Sequence, residues 1–112
     1  MSISFKGFNE QILTFRTQGE IKNGSLVKMS ESATVAPCEN GDDFIGIAVH
    51  VNGGIAAVQV GGYASLNYSG SAPALGACAI SAADSAHICS GGGKSVTVIE
   101  LDETNSTAGI LL

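Results

Sequence analysis

An all-β fold is predicted, a small single-domain β-barrel or sandwich of short antiparallel strands with an extended N-terminal arm, and three observations carry that expectation. Apolar residues recur with a period of two in several runs, most clearly at Ile45, Ile47, Val49 and Val51, the spacing of a strand with one covered face. Gly-rich turns separate such runs at intervals of about 8 to 12 residues, as in barrels and sandwiches. Nowhere does an apolar period of 3.6 persist, and the alanine-containing piece 72–86 is broken by Pro73 and Gly76, so it holds at most one short helical turn.

In chain order, residues 1–10 form a polar arm carrying Ile3, Phe5 and Phe8, and residues 11–112 form the barrel domain. A free terminus frays unless something holds it, and apolar residues on an arm become ordered against a neighbouring subunit by strand addition or by insertion into a groove. The run 11–17 reads as a first strand because Ile12, Leu13, Thr14 and Phe15 favour extended backbone. Residues 19–24 turn the chain into a short strand over 25–29, and a second turn leads to 34–37, which Pro37 ends or confines to an edge.

The polar turn 39–43 leads into the clearest element, a β-hairpin over 43–60. Asn52, Gly53 and Gly54 supply residues that tolerate the positive φ of a tight turn. Its first strand sets Ile45, Ile47, Val49 and Val51 on one face and Phe44, Ala48 and His50 on the other. Both faces are apolar, so one is expected against the core and the other, with Phe44 and His50, at a homo-oligomer contact. After Gly61 and Gly62, a strand over 63–68 closes at 69–73, and a final long strand over 95–101 follows the glycines at 91–93. The segment from Gly76 echoes the one from Gly24, 52 residues earlier: each offers a Gly-led strand, a turn and a return strand, with Val35-Ala36 matched to His87-Ile88.

A chain of 112 residues is one small domain. Charged residues make up only 13%, so much of the surface is neutral and suits lasting contact with protein. Ten acidic against five basic side chains offer no footprint for a phosphate backbone, so nucleic acid is not an expected partner. No run approaches the roughly 18 apolar residues of a membrane span, and the start lacks the pattern of a signal peptide, so the expectation is a protein made in a cytoplasm, without a membrane partner. Cys38, Cys78 and Cys89 are odd in number and lack Cys-x-x-Cys spacing, so they read as buried thiols.

Several motifs carry the residue types of known chemistry without its spacing. The run Gly91-Gly92-Gly93-Lys94-Ser95 suggests a phosphate loop, but the earlier glycine of that motif falls on Ile88, and a β-branched strand follows where a helix N-terminus is needed. Asp84, Ser85 and His87 have the residue types of a hydrolase triad, yet lie too close together in one turn to align nucleophile, base and acid. His50 and His87 lack further ligands at metal spacing, and Asp42-Asp43 and Asp102-Glu103 are too short for a calcium loop. Neither catalytic residues, nor a metal, nor a cofactor is expected, and the chain reads as a structural or interaction module rather than an enzyme.

The order of motifs then carries a resemblance: Leu26-Val27-Lys28-Met29, Thr34-Val35-Ala36-Pro37, Gly41-Asp42, Phe44-Ile45-Gly46-Ile47-Ala48-Val49, Ala57-Val58-Gln59-Val60 with Gly62-Tyr63, and the run Tyr68 to Gly76. From about Phe5 to Leu112 the chain resembles phage and prophage capsid decoration, or cement, proteins, small β-barrel head proteins. The resemblance implies a virion protein made in a bacterial host that docks on the exterior of the expanded head, often as a homotrimer, and stabilises it by bridging major capsid subunits. Ile3, Phe5 and Phe8 are the candidate capsid contacts, a choice made from composition. The alternative is a glycan- or ligand-binding β module of a phage tail or fibre, using loops 69–73 and 90–94.

Overall fold

In the computed structural model, residues 10–112 are described; the arm residues Ile3, Phe5 and Phe8 lie outside them. The described chain contains ten strands and no helix. They are β1 (Gln11–Thr17), β2 (Leu26–Glu31), β3 (Thr34–Pro37), β4 (Gly46–Asn52), β5 (Ile55–Gly61), β6 (Tyr63–Tyr68), β7 (Gly76–Ala82), β8 (His87–Ser90), β9 (Lys94–Asp102) and β10 (Thr107–Leu111). The all-β expectation holds, with two barrels in place of one. β1–β5 close as one five-stranded barrel and β6–β10 as a second. Most pairs are antiparallel, but β1 and β3 run parallel, and so do β6 and β8.

The two barrels have the same topology. Around the first the order is β1-β3-β2-β4-β5, and around the second β6-β8-β7-β9-β10. Their hairpins match residue by residue: Ala48 pairs with Val58 as Val98 pairs with Ile110, and His50 pairs with Ala57 as Glu100 pairs with Gly109. A bulge falls at the same place in each, at Val49 and at Ile99. On the parallel pairs Thr34 and Val35 correspond to His87 and Ile88, so the echo in the sequence was displaced by one residue at this strand. β2 and β7 keep the same register against β3 and β8, Met29 opposite Val35 as Ala82 is opposite Ile88.

The bulge also corrects the face assignment of the hairpin. An extra residue restarts the alternation, so Ala48 and Val51, on opposite sides of Val49, both belong with the first barrel's core of Val27, Val35, Ala56 and Val58. Ile47 points the other way and Val49 is left outside. The tip is a tight turn with both Gly53 and Gly54 at positive φ, as Asn52-Gly53-Gly54 indicated.

Leu26, Cys38, Phe44 and Ile47, from the outer side of the first barrel, join the interior of the second in a single cluster with Ala64, Leu66, Ile80, Ile88 and Ile110. Burying such side chains is worth about 1.5–3 kcal/mol each, which makes this junction a major stabilising contact. Backbone hydrogen bonds reinforce it: Leu26 N–H donates to the Ser85 carbonyl (2.8 Å), Gly41 N–H to the Ala82 carbonyl (2.8 Å), and Ala82 N–H to the Asp42 carbonyl (2.9 Å). The counterparts of Leu26 on the second barrel, Ala77 and Ala79, are small and exposed, so the two barrels meet through unlike surfaces, head to tail.

Candidate functional site

A concavity opens at the junction of the barrels. A groove of about 410 Å³ is lined by Glu10, Gly24, Ile47, Gln59, Tyr63, Ala64, Ser65 and Leu66. Its floor is set by the linker between the barrels. Gln59 is only 7% exposed, and its Nε2 donates to the carbonyl of Gly61 (3.1 Å) and to that of Tyr63 (2.8 Å), one on each side of Gly62 at φ +89°. One amide thus fixes the angle at which β6 leaves β5. β6 is paired with β8 only at Asn67 and Tyr68, so the edge of Tyr63–Leu66 borders the groove.

Beside it lies a smaller depression of about 190 Å³, lined by Ser65, Glu100, Leu101, Asp102, Thr107 and Gly109. The Tyr63 hydroxyl donates to Glu100 Oε1 across β10. That reach depends on Gly109, where a Cβ would come within 2.7 Å of Glu100 Oε1. Burial, then the bond to Glu100, pushes the Tyr63 phenol up to about 12. A phenol so held is a donor at neutral pH and a poor proton-transfer group.

The motifs singled out in the sequence are drawn into local structure. Asp84 Oδ1 accepts the N–H groups of Ala86 (2.7 Å) and His87 (2.8 Å) and lies 3.0 Å from His87 Nδ1, bonds that hold its carboxyl below the usual range. The adjacent Ser85 offers its carbonyl to Leu26. In the glycine loop, Gly93 N–H donates to Asp43 Oδ1 (2.8 Å), so a carboxylate of the same chain occupies the place a phosphate oxygen would take. Lys94 lies over the Phe44 ring, 5.6 Å from its centroid, and burial lowers its pKa.

Asp42 bonds Lys28 Nζ at 2.7 Å and the Glu39 N–H at 2.8 Å, in that order the causes of its lowered pKa. Among the described residues no three His, Cys, Asp or Glu side chains gather as metal ligands. Cys38 is buried, Cys78 and Cys89 are half-buried, and all three are free thiols.

The two residues expected at an oligomer contact are separated. Phe44 is 2% exposed, covered by the second barrel of its own chain, so the apolar second face of the hairpin there meets an internal neighbour. His50 is exposed on the outer wall of the first barrel, at the position Glu100 holds in the second. Sequence reasoning missed Gln59 and Tyr63. The signal available was a lone amide inside an apolar strand, followed by Gly61-Gly62. No protein-family model matches the chain, and no curated protein matches it in sequence.

Proposed function

We propose that this chain is a structural virion protein that decorates the exterior of an expanded phage head and stabilises it by bridging major capsid subunits. The observation that carries the reading is a rigid two-barrel block that leaves apolar side chains outside, among them Val49, Ile55 and Leu75, the last 64% exposed. Closed barrels joined by backbone hydrogen bonds resist shear, and sparsely charged walls suit close protein contact. Each copy need contribute only a modest interface, because repetition over a shell multiplies it and binding only the assembled state favours that state by mass action.

In this reading the arm, with Ile3, Phe5 and Phe8, makes the capsid contact. The test is co-sedimentation of the purified protein with expanded capsids, and the heat resistance of those capsids with and without it. Deleting residues 1–8 is expected to abolish docking while the far-ultraviolet circular dichroism of the barrels is retained. Undiminished docking of the truncated protein would remove the arm from the proposal. A protein that ignores capsids and is retained on a glycan array would replace this reading with that of a tail or fibre module.

A further inference from the structure

The sequence holds three Asn-Gly pairs, at Asn23, Asn40 and Asn52. Asparagine is thermolabile, and before a glycine it has both reacting partners at hand: the glycine's main-chain nitrogen can reach the side-chain Cγ, and the missing Cβ lets the backbone turn into position. The fold treats the three pairs differently. Gly24 N–H donates to the Ala48 carbonyl (2.6 Å) and Gly41 N–H to the Ala82 carbonyl (2.8 Å), so both nitrogens are engaged. Asn23 is also held at its side chain, where Oδ1 accepts the Val51 N–H (3.0 Å).

Asn52 and Gly53 lie exposed at the tip of the β4–β5 hairpin. The ladder ends at the pair Asn52–Ile55, and Gly53 with Gly54, both at positive φ, makes the turn beyond it. The Gly53 N–H is therefore outside the ladder. Among the described residues neither that N–H nor the Asn52 side chain takes a hydrogen bond. We propose that Asn52 is the chain's site of spontaneous modification, closing onto the Gly53 nitrogen and reopening as aspartate or isoaspartate.

Water is the base and the second reactant. As the Gly53 amide gives up its proton, its nitrogen attacks Asn52 Cγ; the new N–Cγ bond closes a five-membered imide, the Cγ–Nδ2 bond breaks, and Nδ2 takes up a proton and leaves as ammonia. Water then opens the imide at one of its two carbonyls. Breaking the Cγ–N bond gives aspartate, and breaking the original main-chain bond gives isoaspartate, whose chain runs through Cβ and Cγ and is one atom longer. Either product adds one negative charge to the formal −5. It does so beside the contact that ties the tip to β1, where Thr17 N–H donates to the Gly54 carbonyl (3.0 Å). None of this depends on capsid docking.

A time course on the full chain at mildly alkaline pH tests the proposal, with peptide mass spectrometry reading the conversion of Asn23, Asn40 and Asn52 and isoaspartyl methyltransferase labelling reading the isoaspartate. An engaged amide must first be released, and one hydrogen bond holds it back about fivefold, so Asn52 should convert about fivefold or more faster than Asn23 and Asn40 in the native protein. In urea those bonds are gone and all three asparagines precede a glycine, so the rates should converge. Asn52→Gln lengthens the side chain by one carbon and disfavours the five-membered ring, so the acidic form that ion exchange resolves in aged wild-type protein should be lost. The position is exposed, so circular dichroism should show that variant folded. Native conversion led by Asn23 or Asn40, equal native rates at the three sites, an Asn52 that stays intact while the urea-unfolded chain converts, or an acidic form undiminished in Asn52→Gln would overturn the proposal.

Discussion

Gln59 is the most informative single position for the way the two barrels are held. Replacing it by Met keeps its length and removes both donors from the carbonyls of Gly61 and Tyr63. A net hydrogen bond is worth about 1 kcal/mol, and a buried acceptor left without a partner costs about 1–3 kcal/mol, so Gln59→Met should destabilise the fold by about 2–3 kcal/mol. For a domain of this size that lowers the midpoint of thermal unfolding by roughly 8–15 °C. Gln59→Glu is more diagnostic because it adds a pH dependence. Its protonated form can still donate one bond, whereas its carboxylate faces two carbonyl oxygens, so its folded pKa is raised above the unfolded value of about 4.3. The deficit relative to wild type should be small below that pH and grow as pH rises through the raised pKa. Urea unfolding followed by circular dichroism at pH 4 and pH 7 measures both variants. A Gln59→Met protein within about 0.5 kcal/mol of wild type, or a Gln59→Glu deficit that does not change with pH, would refute the argument.

Other outcomes follow from individual contacts. A Cβ at Gly46 would stand 2.1 Å from the Gln59 carbonyl oxygen and 2.9 Å from Val58 Cγ1, so Gly46→Ala must displace backbone and should cost about 3 kcal/mol or more in urea unfolding. Gly54→Ala, at φ +81° with nothing within 4 Å, should cost only about 1–2 kcal/mol, from backbone conformation alone. Burial pushes the Cys38 thiol up to about 11, so iodoacetamide at pH 8 should leave Cys38 unmodified in the native protein while labelling half-buried Cys78, as read by peptide mass spectrometry. Tyr63 is held neutral by burial and Glu100, with its pKa raised, so its contribution should be full below about pH 10 and fall as pH rises towards 12. The alkaline loss of stability in wild type should exceed that of Tyr63→Phe, and equal slopes would argue against the assignment.

Much of the strand pattern was legible because it rests on local chemistry. β1, β3 and β6 occupy the residues the sequence indicated, and the Asn52-Gly53-Gly54 turn fixed the β4–β5 hairpin through residues that tolerate positive φ. The division into two barrels was less legible. The halves share little identity, and the repeat appears only once strand pairing sets Ala48, Val58, Val98 and Ile110 in equivalent places. The bulge at Val49 was hidden for a related reason: one extra residue leaves an apolar run looking continuous while reversing which side chains point inward.

By itself, then, the sequence determined an all-β chain of short strands and Gly-based turns, because those choices depend on residues near one another. It also determined an apolar second face on the central hairpin. Tertiary structure decided what covers each side chain of the hairpin: Ala48 turns into the first barrel's own core. Phe44 and Ile47 lie against the second barrel of the same chain, and Gln59 locks the linker that brings them there. These are contacts between residues far apart in sequence, and no local period or propensity specifies them.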